Sequence, residues 1–215
     1  MNAKIIAVAG QKGGIGKTTT AVNLASCIAM RATPVLLLDL DPQGSTMDWV
    51  AMMDKHDKKL FDYLKALESS LVTILDNNAE SYKYIIIDCP PRLEKIMAKV
   101  IANVDLVITP VGLGAVEAWA FDDFNEGIKH HYLTHGTPLH AAFMSDINIS
   151  CSRLKYQTAI AMDEAGFEPL QTIHSRNAVV EAAGLGKCTI HMGDVKATKE
   201  IEMLTTQILE ILDEL

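Results

Sequence analysis

Ala9-Gly10-Gln11-Lys12-Gly13-Gly14-Ile15-Gly16-Lys17-Thr18-Thr19-Thr20 is the stretch that decides how this chain is read. A short apolar run, Ile5-Ile6-Ala7-Val8, comes before it, and Ala21, Leu24, Ala25 and Ile28 follow with helical spacing. Strand, glycine loop and helix start, in that order, form the context of a phosphate-binding loop. Glycines let backbone N–H groups turn toward an anion, and a helix N-terminus adds the positive end of its dipole. In such a loop Lys17 reaches the β- and γ-phosphates of a nucleotide and the Thr18 hydroxyl binds Mg2+. Gly13, Gly14, Ile15, Gly16, Lys17, Thr18 and Thr19 are therefore the expected phosphate contacts. The standard G-x-x-x-x-G-K-[ST] spacing asks for glycine where this chain has Gln11. Gly10 lies one residue early, and a second lysine, Lys12, sits inside the loop.

Downstream, apolar runs alternate with helical patterns. Val35-Leu36-Leu37-Leu38, Tyr84-Ile85-Ile86-Ile87, Leu106-Val107-Ile108, Ala141-Ala142-Phe143-Met144 and Leu170-Gln171-Thr172-Ile173 read as further strands. Uninterrupted apolar strands separated by helices imply a parallel sheet buried on both faces. The expected fold is thus α/β: a mostly parallel twisted sheet with helices on both faces, in a single domain over 1–215. Ligands of open α/β sheets sit outside the carboxyl ends of the strands. Two strand ends carry carboxylates there: Asp39-Leu40-Asp41-Pro42-Gln43 and Asp88-Cys89-Pro90-Pro91. Asp39 and Asp41, two apart, fall on one side of an extended chain. Leu60, Leu64 and Leu67 keep helical spacing, and Asp54 to Lys59 read as a solvated loop. Helices are expected over Thr46–Met53, with Trp49 on it, and from about Ala115 to Tyr132, Ser152 to Ala165 and Lys196 to Asp213.

These three motifs, in this order, resemble the ParA/MinD ATPases. The loop is similar to that family's deviant Walker A motif. There the extra lysine, here Lys12, reaches across a nucleotide-sandwich dimer to the partner's ATP. The D-x-D-P-Q segment resembles the Walker A′ motif, which implies that Asp41 positions the attacking water and Asp39 sits in the magnesium shell. Asp88 matches the Walker B aspartate, holding Mg2+ through water. The resemblance implies catalytic roles for Lys12, Lys17 and Asp41, metal roles for Thr18, Asp39 and Asp88, and an adenine side formed by Asn148, Ser175 and Arg176. Its cofactors would be ATP and Mg2+. Chain length, the run 42–49 and the end Lys199-Glu200-Ile201-Glu202-Met203-Leu204 look like the small ParF-like plasmid partition proteins.

Composition narrows the alternatives. The 215 residues are 49% hydrophobic with a formal net charge of −8, so a uniformly basic nucleic-acid binder is excluded, though a local basic patch is not. Candidate DNA contacts are Arg153, Lys155, Lys187, Lys196 and Lys199, weighed against ordinary solvated cations. Cys27, Cys89, Cys151 and Cys188 form no C-x-x-C pair, which disfavours a zinc site, a redox pair or a cluster-carrying relative. His130, His131 and His135 lack further ligands for a metal, and Trp119, Phe121 and Phe124 read as packing or dimer surface. MinD-type proteins end in a basic amphipathic membrane helix; here Glu200, Glu202, Glu210, Asp213 and Glu214 would repel anionic lipid, so the last helix is expected to pack on the domain. No signal peptide or spanning segment is read, which gives the cytoplasm or the nucleoid as the expected location. The expectation is an ATPase switch that dimerises on ATP, binds DNA or polymerises, and is stimulated by a ParB-like centromere-binding or adaptor partner. The alternative is the same engine positioning a non-DNA cargo, a chemoreceptor array or enzyme compartment.

Overall fold

The computed structural model describes residues 3–56, 60–91, 96–145, 147–148 and 150–214. Among them, six strands form one sheet: β1 (Lys4–Val8), β2 (Val35–Asp39), β3 (Asp62–Lys65), β4 (Tyr84–Asp88), β5 (Leu106–Val111) and β6 (Leu139–Met144). The order across the sheet is β3-β2-β4-β1-β5-β6, and every pairing is parallel. The helices are α1 (Lys17–Ala29), α2 (Ser45–His56), α3 (Leu71–Asn78), α4 (Met97–Ile101), α5 (Ala115–His135), α6 (Ser152–Glu164), α7 (Asn177–Gly184) and α8 (Val195–Asp213).

Strand alternation divides the core. Ile6 and Val8 pack on one face with α1 and with Ile201, Leu204, Ile208 and Leu212 of α8. Ala7, Leu36, Leu38, Ile85 and Ile87 face the other way, onto Leu71 and Leu75 of α3 and Phe124 and Ile128 of α5. A third cluster joins Phe121 and Met162 to Ala142 and Met144 near the β6 edge. Phe121 and Phe124 are therefore packing residues; the Trp119 side chain lies outside the described residues. Helix α8 is amphipathic, as expected, and spends its apolar stripe on the domain. No described helix is long and apolar enough to cross a membrane.

The central strand β1 is flanked by β4 and β5, so the chain crosses over it between those two strands. That is the topological switch point where α/β sheets open a crevice, and the glycine loop leaves β1 there. Pro110 is tolerated within β5 because β1 ends at Val8 opposite Ile108, leaving no ladder bond for the proline to break.

Three sequence expectations are corrected. The segment 60–67 is not helical: β3 lies in it, at the sheet edge beside β2. Its supposed helical stripe is not a core face, since Leu64 is 39% and Leu67 73% exposed, while Phe61 and Ala66 are buried. The segment Leu170–Ile173 is not a full strand. It makes single parallel bridges, Phe143 to Leu170 and Ile147 to His174. The Gln171 N–H donates instead to the Gln207 side chain of α8, at 2.7 Å. Helix α2 runs on to His56, past the expected end at Met53, and residues 57–59 of the expected solvated loop lie outside the described residues.

Candidate functional site

The loop between β1 and α1 is held open by backbone geometry. Gly14 and Gly16 have φ of 76° and 89°, the left-handed region that only glycine enters at no cost. A Cβ on Gly16 would stand 2.8 Å from Ser145 Oγ. Helix α1 begins directly after it with no side-chain cap and no acidic residue in its first turn. Its N-terminal N–H groups and dipole are thus left to an anion. Asn23 anchors the helix, donating to Thr19 O at 2.8 Å and accepting the Thr189 N–H at 2.7 Å.

Lys17 is buried, and its Nζ donates to the Lys12 carbonyl at 2.5 Å. Burial pulls the Lys17 ammonium below its ordinary value, against the opposing charges of Asp88, Cys89 and Asp41. The side chain therefore points back along the loop. Lys12 itself is exposed.

Beneath the loop, β2 and β4 end in register, Asp39 opposite Asp88. Asp88 Oδ2 accepts from Thr18 Oγ1 at 2.7 Å and from Thr46 Oγ1 at 2.5 Å. Its other oxygen, Oδ1, is buried with no hydrogen-bond partner. Burial pushes the Asp88 carboxyl up to about 6, with the hydroxyls of Thr46 and Thr18 pulling the other way. A hydroxyl beside a carboxylate with a spare buried oxygen is a donor set that a hard divalent cation prefers. Thr18 and Asp88 could hold Mg2+ in this arrangement, Asp88 through water. Among the described residues no cluster of three His, Cys, Asp or Glu side chains could hold a metal alone. Any cation here would draw its remaining ligands from phosphate and water, the usual habit of Mg2+.

Asp39, expected in the magnesium shell, ends β2 beside this pair. It is fully buried; Oδ1 accepts the Asp41 N–H at 2.8 Å and Oδ2 accepts the Tyr63 hydroxyl at 3.0 Å. Each oxygen thus accepts one bond from the chain. Asp41 sits one turn further on, its Oδ1 accepting the Gln43 N–H at 2.9 Å. It joins Gly13, Gly14, Gly16, Lys17, Thr18 and Thr19 in lining an open cavity of about 380 Å3. Most of the loop residues of the sequence reading, with Lys17 and Asp41, thus share one crevice, while Lys12 and Ile15 line neighbouring openings.

Tyr63 and Thr46 had no signal in the sequence, because each acts through a partner far along the chain. Tyr63→Phe removes one donor from a buried carboxylate, at a cost of about 1–3 kcal/mol. The half-buried Tyr82 makes the same kind of bond through its hydroxyl, to Asp62 at 2.8 Å, but at an exposed position. Tyr82→Phe should change stability by less than about 0.5 kcal/mol, as exposed pairs do. Urea unfolding of the two variants checks this contrast.

The adenine-side expectations do not cluster around a single cavity. A second cavity, about 290 Å3, runs from Gly14, Gly16 and Thr19 to Ile173, His174 and Val179. Arg176 is turned away into an ion pair with Glu200 at 2.6 Å. Asn148 Oδ1 accepts the Ser150 N–H and hydroxyl at 3.0 and 2.6 Å, and its walls belong to another opening, shared with Lys12 and Gly13. Ser175 is exposed. The candidate DNA cations lie on separate elements: Arg153 and Lys155 on α6, Lys196 and Lys199 on α8, and Lys187 after α7, where its carbonyl accepts the buried Trp49 indole N–H at 3.0 Å.

Comparison with known proteins agrees with this architecture. A family model described as an AAA domain matches residues 3–67 and 50–132. The chain is 32% identical over 146 residues to the sporulation initiation inhibitor protein Soj of Bacillus subtilis, covering 50% of this chain and 58% of Soj. It is 26% identical over 208 residues to the maintenance of carboxysome distribution protein A of Halothiobacillus neapolitanus, covering 95% of each chain. A structure of a putative plasmid partition protein from Borrelia burgdorferi B31, bound to AMPPNP, superposes with a TM-score of 0.75 at 20% identity, covering 97% of this chain and 99% of the other. The chain belongs to this AAA-domain family and, within it, to the ParA/MinD group of P-loop NTPases. It spans less than two thirds of the length of Soj.

Proposed function

We propose that this protein is an ATP-dependent partition switch: one nucleotide-binding domain over 1–215 that dimerises on ATP·Mg2+ and hydrolyses ATP slowly. The observation that carries the reading is the Thr18–Asp88 pair, with its unpartnered buried Oδ1, at the foot of an uncapped helix and a glycine loop. Mg2+, when bound, would neutralise charge on the β- and γ-phosphates. Gly13 to Thr19 grip the phosphates through backbone N–H groups, and Lys17 adds its charge from inside the loop. Asp41, steadied through Asp39 and Tyr63, orients the attacking water. Lys12, exposed on the loop, would reach a second copy's γ-phosphate. Phosphoryl transfer asks chiefly for positioning and charge neutralisation, and these residues supply both.

Since one catalytic lysine comes from the partner copy, hydrolysis depends on dimerisation and the dimer becomes a timer. Lys12→Ala is expected to lower turnover by roughly 100-fold or more, the scale of a charge supplied in trans. It should also remove the dependence of specific activity on protein concentration. ATPase assays over a range of protein concentrations read both; an unchanged rate and dimer would exclude the cross-subunit role.

The readout follows the ParF-like plasmid partition reading. The ATP dimer binds non-specific DNA or polymerises, in the cytoplasm or on the nucleoid, and a ParB-like centromere-binding or adaptor protein stimulates turnover. Arg153, Lys155, Lys187, Lys196 and Lys199 are the candidate DNA contacts. Duplex binding in ATP that weakens steeply with salt supports this, and no binding at low salt rejects it. A second reading, positioning of an enzyme compartment, is favoured by the full-length similarity to a carboxysome distribution protein. Recovery of the cognate partner separates the two cargoes.

A further inference from the structure

We infer that His174, with its ring tautomer set by Glu200, makes the nucleotide pocket read the 6-amino group of adenine and reject guanine. This rests on the nucleotide-binding reading and adds its base specificity. The cavity of about 290 Å3 beside the phosphate loop has the size and character of a base site. Its walls at the far end are apolar, Ile173, Val179 and Val180 among them, and His174 is the single titratable side chain in its lining. Flat apolar walls hold a purine's faces; only a polar group can read its edge.

The lining holds Thr20, Asn23, Ser145 and Thr205 as well as His174, and the His174 ring is fixed. Glu200 reaches over from α8 and grips the His174 segment at three points. Its Oε2 accepts the His174 backbone N–H at 3.0 Å. Its Oε1 lies 2.9 Å from His174 Nδ1 and accepts from Arg176 Nη2 at 2.6 Å. Burial of Glu200 works to raise its carboxyl, but the hydrogen bonds from Arg176 and His174 outweigh it and hold it below the ordinary range. A carboxylate only accepts, so Nδ1 must carry the proton. In the neutral ring Nε2 is then a bare acceptor, with no protein partner among the described residues. The 6-amino group of adenine donates to such an atom. The 6-oxo group of guanine would set lone pair against lone pair in a partly buried site, where an unmade hydrogen bond costs most. Sites built around one buried hydrogen bond discriminate strongly against the analogue that cannot make it.

The test is a set of dissociation constants for ATP, GTP and the triphosphate of unsubstituted purine riboside, with Mg2+. Wild type should prefer ATP over both by on the order of 10- to 100-fold. His174→Phe, which keeps the ring volume, should bring all three within about threefold of one another by weakening ATP alone. Glu200→Gln is the second variant, read by the imidazole 15N shifts of His174. Wild type should show the Nδ1-protonated ring, and the variant should show mixed tautomers with a reduced ATP preference. Equal binding of all three triphosphates by wild type overturns the inference while leaving the phosphate site standing. So does an ATP preference that survives His174→Phe, or an Nε2-protonated ring in wild type. Failure of wild type to bind any triphosphate overturns both the inference and the nucleotide reading beneath it.

Discussion

Asp88→Asn is expected to give a protein that is more stable than wild type without nucleotide and inactive with it. Asp88 is 1% exposed, and burial raises its carboxyl from 3.8 to about 6. A raised carboxyl contributes its full stability below the unfolded value, where both states hold the proton. That contribution is lost as pH climbs from about 4 through about 6, because the unfolded chain releases its proton first. A gap of about two pH units corresponds to roughly 3 kcal/mol. At pH 7.5 the wild-type apoprotein therefore carries a costly buried charge. The amide of the variant still accepts Thr18 and Thr46 on its oxygen but has no charge to bury. Allowing for burial of its own N–H, a gain of about 1–3 kcal/mol is expected at pH 7.5. The gain should vanish toward pH 4. Turnover should fall by about 100-fold or more, since Thr18 and Asp88 are the residues proposed to hold the cation. Urea unfolding at the two pH values and an ATPase assay check the pair of effects. A variant that is less stable at pH 7.5 contradicts the electrostatic account of Asp88.

Gly16→Val should abolish nucleotide binding. Gly16 has φ of 89°, and its Cβ would stand 2.8 Å from Ser145 Oγ. A β-branched residue in the left-handed region is strained by itself, at about 1–3 kcal/mol. The clash adds to this, because Ser145 is buried and its own N–H is bound to Val111 O at 2.8 Å. Relief requires the loop to move, and the loop N–H groups lose their common aim. Isothermal titration with ATP·Mg2+ should show affinity reduced by roughly 100-fold or more, the scale of losing two or three aligned hydrogen bonds to a charged group. Gly13 meets nothing within 4 Å and is not in the left-handed region. Gly13→Ala should leave unfolding stability within about 0.5 kcal/mol of wild type, which separates strain from mere bulk.

Much of this was legible in the chain because the signals are local. The glycine loop, the apolar runs ending in Asp39 and Asp88, and the helical stripes of α1, α6 and α8 each declare themselves within a dozen residues. What stayed hidden depends on tertiary neighbours. The edge strand β3 has only one neighbour in the sheet, so Leu64 within it and Leu67 just beyond it are exposed, and with the partly buried Leu60 they mimic a helical stripe. Residues 170–173 carry strand-like residues, yet the Leu170 and Ile173 N–H groups, three positions apart, donate to Ala142 O and Met144 O, two apart, so the pairing slips register instead of running on as a regular strand. Tyr63, Thr46 and Glu200 sit 24, 42 and 26 positions from the Asp39, Asp88 and His174 they hold. No spacing rule reaches that far. The motif placed Asp39 at the end of β2, but the Asp41 N–H and Tyr63 hydroxyl that its oxygens accept could not be read from it.

The central claim is that ATP makes this chain a dimer and that hydrolysis undoes it. The direct measurement is the mass of the protein in solution with ADP, with ATP·Mg2+, and with ATP·Mg2+ for Asp41→Ala. The account predicts a monomer with ADP, a dimer with ATP·Mg2+, and a longer-lived dimer in the variant, whose water is no longer oriented. A monomer under all three conditions would contradict it and remove the role proposed for Lys12.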